Sequence, residues 1–405
     1  MSKSNDKITF KNPDLPLAVV VAQTRWNEPP RMRHDVTRQL LRWFNVLFVE
    51  FFPVRNKVSG GLKQEDRNLI IYNPVLTGSP PIRLYANDPI THGRVNRRYT
   101  FDIEKVVKHL GSECVILFNF VYHLPEIMHL SVFRYRAYVC FDEFPKMQRS
   151  ADKRNPFIAA YQERLFQLYE NRVAKAADHC FTPHYPLRDK LLAVNDKIEM
   201  LFHAHNFSSV SFSKRREPGD RIKVGFAGYI NYRIIQTWLL ELLKYEDFEL
   251  HLIGPMDGPE LECYTGHRNV SYVEPLYGKD LKRKLTEMDV LVMPYDSQIN
   301  EVRILTTNSK TFQYIASGRP IVISNLENYI EMPQGIFYKA IDAEDFVAKI
   351  RKAYSEDCEK YRLLRAKIAS ENTWDKRGEQ LHGILKNAIG DILPNLEDRL
   401  TEQRA

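Results

Sequence analysis

The sequence predicts an α/β protein built from two Rossmann-like, doubly wound domains facing a central cleft. Three observations predict it. Short apolar runs alternate with amphipathic stretches of about 8–12 residues along the chain, the pattern of parallel strands buried between helices. The length of 405 residues suits two domains of about 200 each. A polar stretch at 208–220, with Pro218 and Gly219, separates the two series as a surface linker would.

The first domain, 1–207, opens on a buried strand at 17–22, followed by a helix at 35–44 with Val36, Leu40 and Phe44 four residues apart. A strand at 45–50 comes next. Residues 56–68 are polar and read as a hairpin or loop. Further strands are expected at 113–119 and 137–141. A long amphipathic helix at 159–177 leads to a strand at 179–182, a helix at 187–193 and a last strand at 198–202.

The second domain, 221–375, is read more easily. Strands at 221–228 and 248–254 each end in glycine, with a helix from 234 to 244 between them. A strand at 269–273, a helix at 281–288 and a strand at 289–294 follow. A helix at 310–317 is closed by Gly318, and a fifth strand runs over 320–324. In 376–405, Leu381, Ile384, Ile389 and Leu393 are spaced for a closing helix that crosses back to the first domain. Sheets of this kind bind ligands beyond the carboxyl ends of their strands.

Composition narrows the function. Apolar residues are 44% and charged residues 27%, ordinary for a soluble globular chain and wrong for a disordered or membrane-spanning one. The longest plain apolar run, 17–22, falls far short of the roughly 20 residues a spanning helix needs. The amino-terminal MSKSNDKITFKNPD lacks the apolar core of a secretory signal. Five scattered cysteines, Cys114, Cys140, Cys180, Cys263 and Cys358, include no CxxC pair, which argues against a disulfide framework and fits a cytoplasmic location. Residues 1–207 hold 30 Lys+Arg against 21 Asp+Glu, a net of +9, which leaves 28 against 30 for the rest. No zinc-finger spacing, RNP-type motif or long basic block points to nucleic acid. The basic half therefore suits an acidic substrate, an anionic membrane surface or plain solubility.

The loop Gly228-Tyr-Ile-Asn-Tyr-Arg233 joins a strand to a helix, and Arg233 could fork onto a phosphate. At 307–313 polar residues open a helix, with Thr307 and Ser309 near its positive end. Lys310 stands in the first turn, where the helix dipole disfavours a cation. A bound diphosphate would account for it, with an attached ribose within reach of Gln313 one turn on. The alternative is a capped helix with solvated Lys and Gln.

These residues carry a family resemblance. The stretch Asn308-Ser-Lys310-Thr-Phe-Gln313-Tyr314-Ile-Ala316-Ser-Gly318-Arg-Pro320-Ile-Val322 resembles the P-x-K-x-x-E-Y-x-A-x-G-x-P-V-V of GT-B glycosyltransferases, group 1 or family-4-like type. The segments 269–276 and 288–295 resemble theirs in order and spacing. Trp26-Asn-Glu-Pro-Pro-Arg31-Met-Arg-His34 is similar to the amino-terminal loop of teichuronic-acid-type and related bacterial polysaccharide transferases. Asp142-Glu143 and 177–182 stand where those enzymes have Y-D-x-x-D and A-D-x-V-x-x-S. Gln313 replaces the usual glutamate, and its partner position eight residues earlier is Leu305. Lys-x-x-Gln with Tyr295 fifteen residues upstream resembles the xanthan-type glucuronosyltransferase instead.

The resemblance implies a glycosyltransferase moving a sugar from a nucleotide donor, UDP-hexose or UDP-glucuronate, to a surface polysaccharide or lipid-linked oligosaccharide. Lys310, Thr307, Ser309 and Arg233 would hold the donor diphosphate beside Gly228, Gln313 the ribose or a phosphate oxygen, and Tyr295 with 273–276, Glu274 included, the uracil. Asp142 and Glu143 would supply the base, Asp142 preferred, with Arg31 and His34 on the acceptor. No metal is implied, since the Asp-x-Asp of a metal-dependent GT-A enzyme is absent, and no cofactor beyond the nucleotide-sugar substrate. Peripheral contact with the inner membrane surface would run through the apolar and aromatic residues at 118–124, 127–128 and 133–136 with their basic flanks. A nucleotide-sugar epimerase of the same fold and a non-catalytic nucleotide-sugar-binding protein are the alternatives.

Overall fold

The computed structural model describes residues 8–50, 61–74, 89–111, 115–146, 156–207, 221–256, 262–264, 266–390 and 393. The expected linker at 208–220 and Cys114 lie outside them. The chain divides into two units, 1–201 with 378–405, and 202–377. The second unit begins ahead of the polar stretch because His205 bridges to Thr373 and His203 reaches Thr307.

The first unit holds an eight-stranded sheet. Its strands are β1 (Leu17–Ala22), β2 (Asn45–Glu50), β3 (Gly61–Asp66), β4 (Leu69–Asn73), β5 (Val115–Asn119), β6 (Tyr135–Val139), β7 (His179–Thr182) and β8 (Ile198–Met200). The order is β3-β4-β2-β1-β5-β6-β7-β8, parallel except for the β3–β4 hairpin. β1 and β2 are buried at every residue, as strands covered on both faces must be, which is why they read as unbroken apolar runs. Helices α1 (Met32–Leu40), α2 (Pro89–Leu110), α3 (Pro156–Lys175) and α4 (Tyr185–Leu192) connect them. Helix α2 was not foreseen, although Val95, Tyr99, Ile103 and Val107 recur every four residues and are all buried.

One expectation is overturned here. Phe118, Phe120, Val121, Tyr122, Leu124, Ile127, Met128, Phe133 and Tyr135 are core residues, not an interfacial patch. They lie on β5, on β6 or on the turns between them, so the sheet and its covering helices consume their apolar surface.

The second unit holds a six-stranded, wholly parallel sheet: β9 (Ile222–Ala227), β10 (Phe248–Ile253), β11 (Val270–Val273), β12 (Val290–Met293), β13 (Ile321–Ser324) and β14 (Phe337–Ala340), ordered β11-β10-β9-β12-β13-β14. Its helices are α5 (Gln236–Leu242), α6 (Gly278–Thr286), α7 (Asn300–Arg303), α8 (Ser309–Ala316), α9 (Ala343–Glu356) and α10 (Glu359–Glu371). Gly225 on β9 is there for space, because a Cβ would fall 2.5 Å from Met288 Cγ. The closing helix α11 (Trp374–Ile389) belongs to the second unit up to Arg377 and to the first from Gly378. Its His382 ring packs 4.9 Å from Trp43, and Gln380 donates to the Met200 carbonyl at 2.8 Å.

Candidate active site

In the second sheet the chain leaves β9 towards β10 and β11, then returns to β9's other side with β12. Such a reversal opens a crevice beyond the carboxyl ends of the two neighbours. Gly228 follows β9 there, and Tyr295 follows β12. Helix α8 brings Lys310 to the same place. Asn308 caps that helix by accepting from the Lys310 and Thr311 amides at 2.9 and 3.1 Å, and Thr311 Oγ1 accepts from the Asn308 amide at 2.9 Å.

The Lys310 ammonium donates to the Tyr295 hydroxyl at 2.8 Å and lies 5.5 Å from the ring centres of Tyr295 and Phe226. Its stem crosses Gly228, where φ is +139° and a Cβ would fall 2.1 Å from Lys310 Cε. A side chain at 228 would therefore expel the lysine. The Tyr314 hydroxyl accepts from the Ala227 amide at 2.6 Å and donates to the Ala227 carbonyl at 3.2 Å, tying α8 to the end of β9. Among the described residues no carboxylate forms an ion pair with Lys310. An ammonium held by the Tyr295 phenol beside the Phe226 ring, at the positive end of a helix, is arranged for an anion.

Three of the expected donor residues thus converge: Gly228, Tyr295 and Lys310. Gln313 stands half-buried one turn along α8, and Ser309 is exposed at the first helical position. Thr307 is fully buried, and its hydroxyl accepts from the His203 amide at 3.4 Å, so it faces the protein and not the crevice. Arg233 turns onto Tyr232, with its guanidinium 5.7 Å from that ring. Glu274 is exposed just beyond β11, the edge strand.

His203 was not foreseen. Its Nδ1 lies 3.2 Å from Thr307 Oγ1. Burial, then the charges of Arg377 and Lys310, push its pKa down to about 4 and keep the ring neutral. It sits in an irregular segment, where no periodicity could mark it. Asn308 Nδ2 is likewise buried without a partner at the mouth of the helix.

In the first unit, β1, β5 and β6 also end at one edge. After β1, the loop reaching α1 is organised by His34. Its Nδ1 accepts from the Arg31 amide at 3.0 Å, its Nε2 donates to the Arg25 carbonyl at 2.9 Å, and its ring stacks on Phe48. The ring is fully buried with its pKa lowered by desolvation. His34 therefore fastens the loop and has no ring nitrogen left for an acceptor, contrary to expectation. Arg31 is exposed.

Asp142 and Glu143 follow β6 and point to different fates. Asp142 is half-buried and accepts from the Glu143 amide at 3.0 Å. Glu143 is buried and ion-paired with Lys190 at 2.5 Å; Lys190 also pairs with fully buried Glu170 at 2.5 Å. Tyr138 donates to Glu170 at 2.9 Å. Glu143 is thus part of an internal charge network and is no longer a candidate base.

Among the described residues no group of three or more His, Cys, Asp or Glu could hold a metal ion, and no helix is long and apolar enough to cross a membrane. Residues 222–356 match the model of glycosyl transferases group 1. The chain is 23% identical over 258 residues to a protein of Bacillus subtilis (strain 168) named for a teichuronic acid biosynthesis glycosyltransferase, TuaH, a match over 58% of this chain and 64% of that one. Its fold is similar to that of an E. coli trehalose-6-phosphate structure bound with UDP-2-fluoro glucose (TM-score 0.63, 11% identity, 91% of this chain and 99% of that one). It is also similar to WaaG, a glycosyltransferase involved in lipopolysaccharide biosynthesis (TM-score 0.58, 13% identity, 91% and 99%). The fold is GT-B, and the stretch that matches the group 1 model lies wholly within the second unit.

Proposed function

We propose that this protein is a glycosyltransferase that moves a hexosyl or glucuronosyl group from a UDP-linked donor to a surface polysaccharide or lipid-linked oligosaccharide, without a metal. The observation that carries the reading is the ammonium of Lys310, unpaired with any carboxylate among the described residues and lodged over Gly228 at the amino end of α8. A donor diphosphate there would meet a positive side chain and the positive end of the helix dipole together. Tyr295 positions the ammonium, and Gln313 takes the ribose. As the C1–O bond to the diphosphate breaks, the charge left on the β-phosphate falls to Lys310 and the positive end of α8. In an inverting displacement the acceptor hydroxyl forms the new bond to C1 and gives its proton to Asp142.

The test is UDP release from a panel of UDP-, GDP- and dTDP-sugars, with and without acceptor, beside calorimetry with UDP. Preference for UDP-sugars supports the reading. Turnover on none of them, together with no heat from UDP, refutes it.

Peripheral contact with the inner membrane surface is the second proposal. It rests on the basic first half and on Phe157, Ile158, Tyr161 and Leu168, which are exposed on α3. Absence of co-flotation with anionic vesicles at low salt would retire it.

A further inference from the structure

The first unit holds a buried cation that forms no ion pair among the described residues. Arg33, the second residue of α1, is 5% exposed. Its Nε is buried and has no hydrogen-bond partner. Among the described residues its guanidinium makes no ion pair; it lies 4.9 Å from the ring centre of Phe141. Buried charges are ordinarily paired and hydrogen-bonded, because desolvation is costly and an unpaired charge bears it alone. A cation–π contact offsets only part of that cost.

The surroundings sharpen the point. Burial and the neighbouring charge of Arg31 push Arg33 down to about 10, which leaves it cationic at neutral pH. Glu28 and Asp142 attract it from a distance, but Glu28 is occupied, its Oε2 accepting from Thr24 Oγ1 at 2.7 Å. Arg31 and Arg33 bracket the start of a nine-residue helix, whose dipole places positive charge there. Two guanidiniums, one of them with an orphaned Nε, and a helix amino end are gathered beyond the carboxyl ends of β1 and β6, the side on which sheets of this class bind ligands.

We propose that Arg33 is the buried anchor of an anion site, with Arg31 at its rim, and that this site takes the phosphate or carboxylate of an anionic acceptor. The inference deepens the glycosyltransferase reading and rests on it for the word acceptor; the anion site itself stands on the geometry of Arg33. With Asp142 near enough to act on Arg33 through its charge, an acceptor held by its anionic group would be fixed close to the proposed base.

Two measurements test this on the full chain. In the first, the protein is labelled with 13C,15N-arginine and titrated with inorganic phosphate and, separately, with glucuronate. The Arg33 Nε–H signal, assigned with Arg33→Lys, should move with at least one probe. It should move equally in a Lys310→Ala background, where the donor pocket is disabled. Which probe moves it tells phosphate from carboxylate. No movement with either overturns the anion site. In the second, Arg33→Lys and Arg33→Gln are assayed for donor hydrolysis and for transfer to anionic and neutral saccharide acceptors. Transfer to the anionic acceptor should fall at least tenfold through KM, and by clearly more than transfer to the neutral one. Equal losses on both acceptors would overturn the acceptor assignment. Absence of donor hydrolysis in the native chain would instead count against the glycosyltransferase reading, with the arginine signal still reporting on the anion site.

Discussion

The Lys310 ammonium and the Tyr295 hydroxyl are joined at 2.8 Å, fifteen residues apart in the chain and carried by different elements of one sheet crevice. The contact aims a cation without neutralising it. Lys310→Ala should therefore lower kcat/KM on the true donor by about 10- to 100-fold, the range for one desolvated charge-assisted contact. Tyr295→Phe should cost less, since it removes one hydrogen bond to the ammonium but leaves the cation in place. Steady-state kinetics on both variants decide this; near-native turnover in Lys310→Ala would remove the residue from the site.

Gly228→Ala should act through Lys310. The added methyl meets the lysine stem, and a φ of +139° strains any side chain, by about 1–3 kcal/mol. The variant should lose donor affinity and some thermal stability. Combined with Lys310→Ala, the affinity losses should be clearly less than additive, because both changes remove the same cation. A double-mutant cycle on UDP binding measures this directly.

Lys190 balances two buried carboxylates, Glu143 and Glu170. Lys190→Met should destabilise the first unit by about 3–5 kcal/mol, the cost of stranding a buried charge. Glu143→Gln should reduce stability while Asp142→Asn reduces turnover with little change in stability. Urea unfolding of the three variants separates the two acids; equal behaviour of Asp142→Asn and Glu143→Gln in both assays would count against the division.

Acid should weaken the fold through its neutral histidines. His203 is held near 4, and burial also lowers His34, His205 and His382, against an ordinary value of 6.5. Below about pH 6.5 the unfolded chain binds protons that the native rings refuse, so stability falls as pH drops from there towards 4. The Tm of His203→Gln should fall less steeply over that interval than that of the native chain. Parallel Tm–pH curves would show that His203 does not contribute.

How much of this was legible in the chain follows from what each element buries. Strands β1, β2, β9, β10, β12 and β13 are covered on both faces, so their apolar runs stood out. Helix α2 did not, because its buried stripe of Val95, Tyr99, Ile103 and Val107 is set among charged and polar residues. Lys310, Gly228 and Tyr295 could be found because a cation at a helix amino end is locally unfavourable, and a local conflict shows in sequence. Glu143 and His34 misled for the opposite reason: their partners, Lys190 and the Arg25 carbonyl, are set by tertiary packing that no spacing reveals.

The Tyr314 phenol bonds both polar groups of Ala227 and so latches the helix carrying Lys310 to the strand that ends at Gly228. The cation and the floor beneath it are thereby built as one rigid block. Residues outside the latch, such as Ser309, Gln313 and Glu274, can be exchanged without moving that block. Attempts to redirect such an enzyme to a new sugar or base are best confined to that outer ring, since a library that varied position 314 would scramble the pocket it meant to retune.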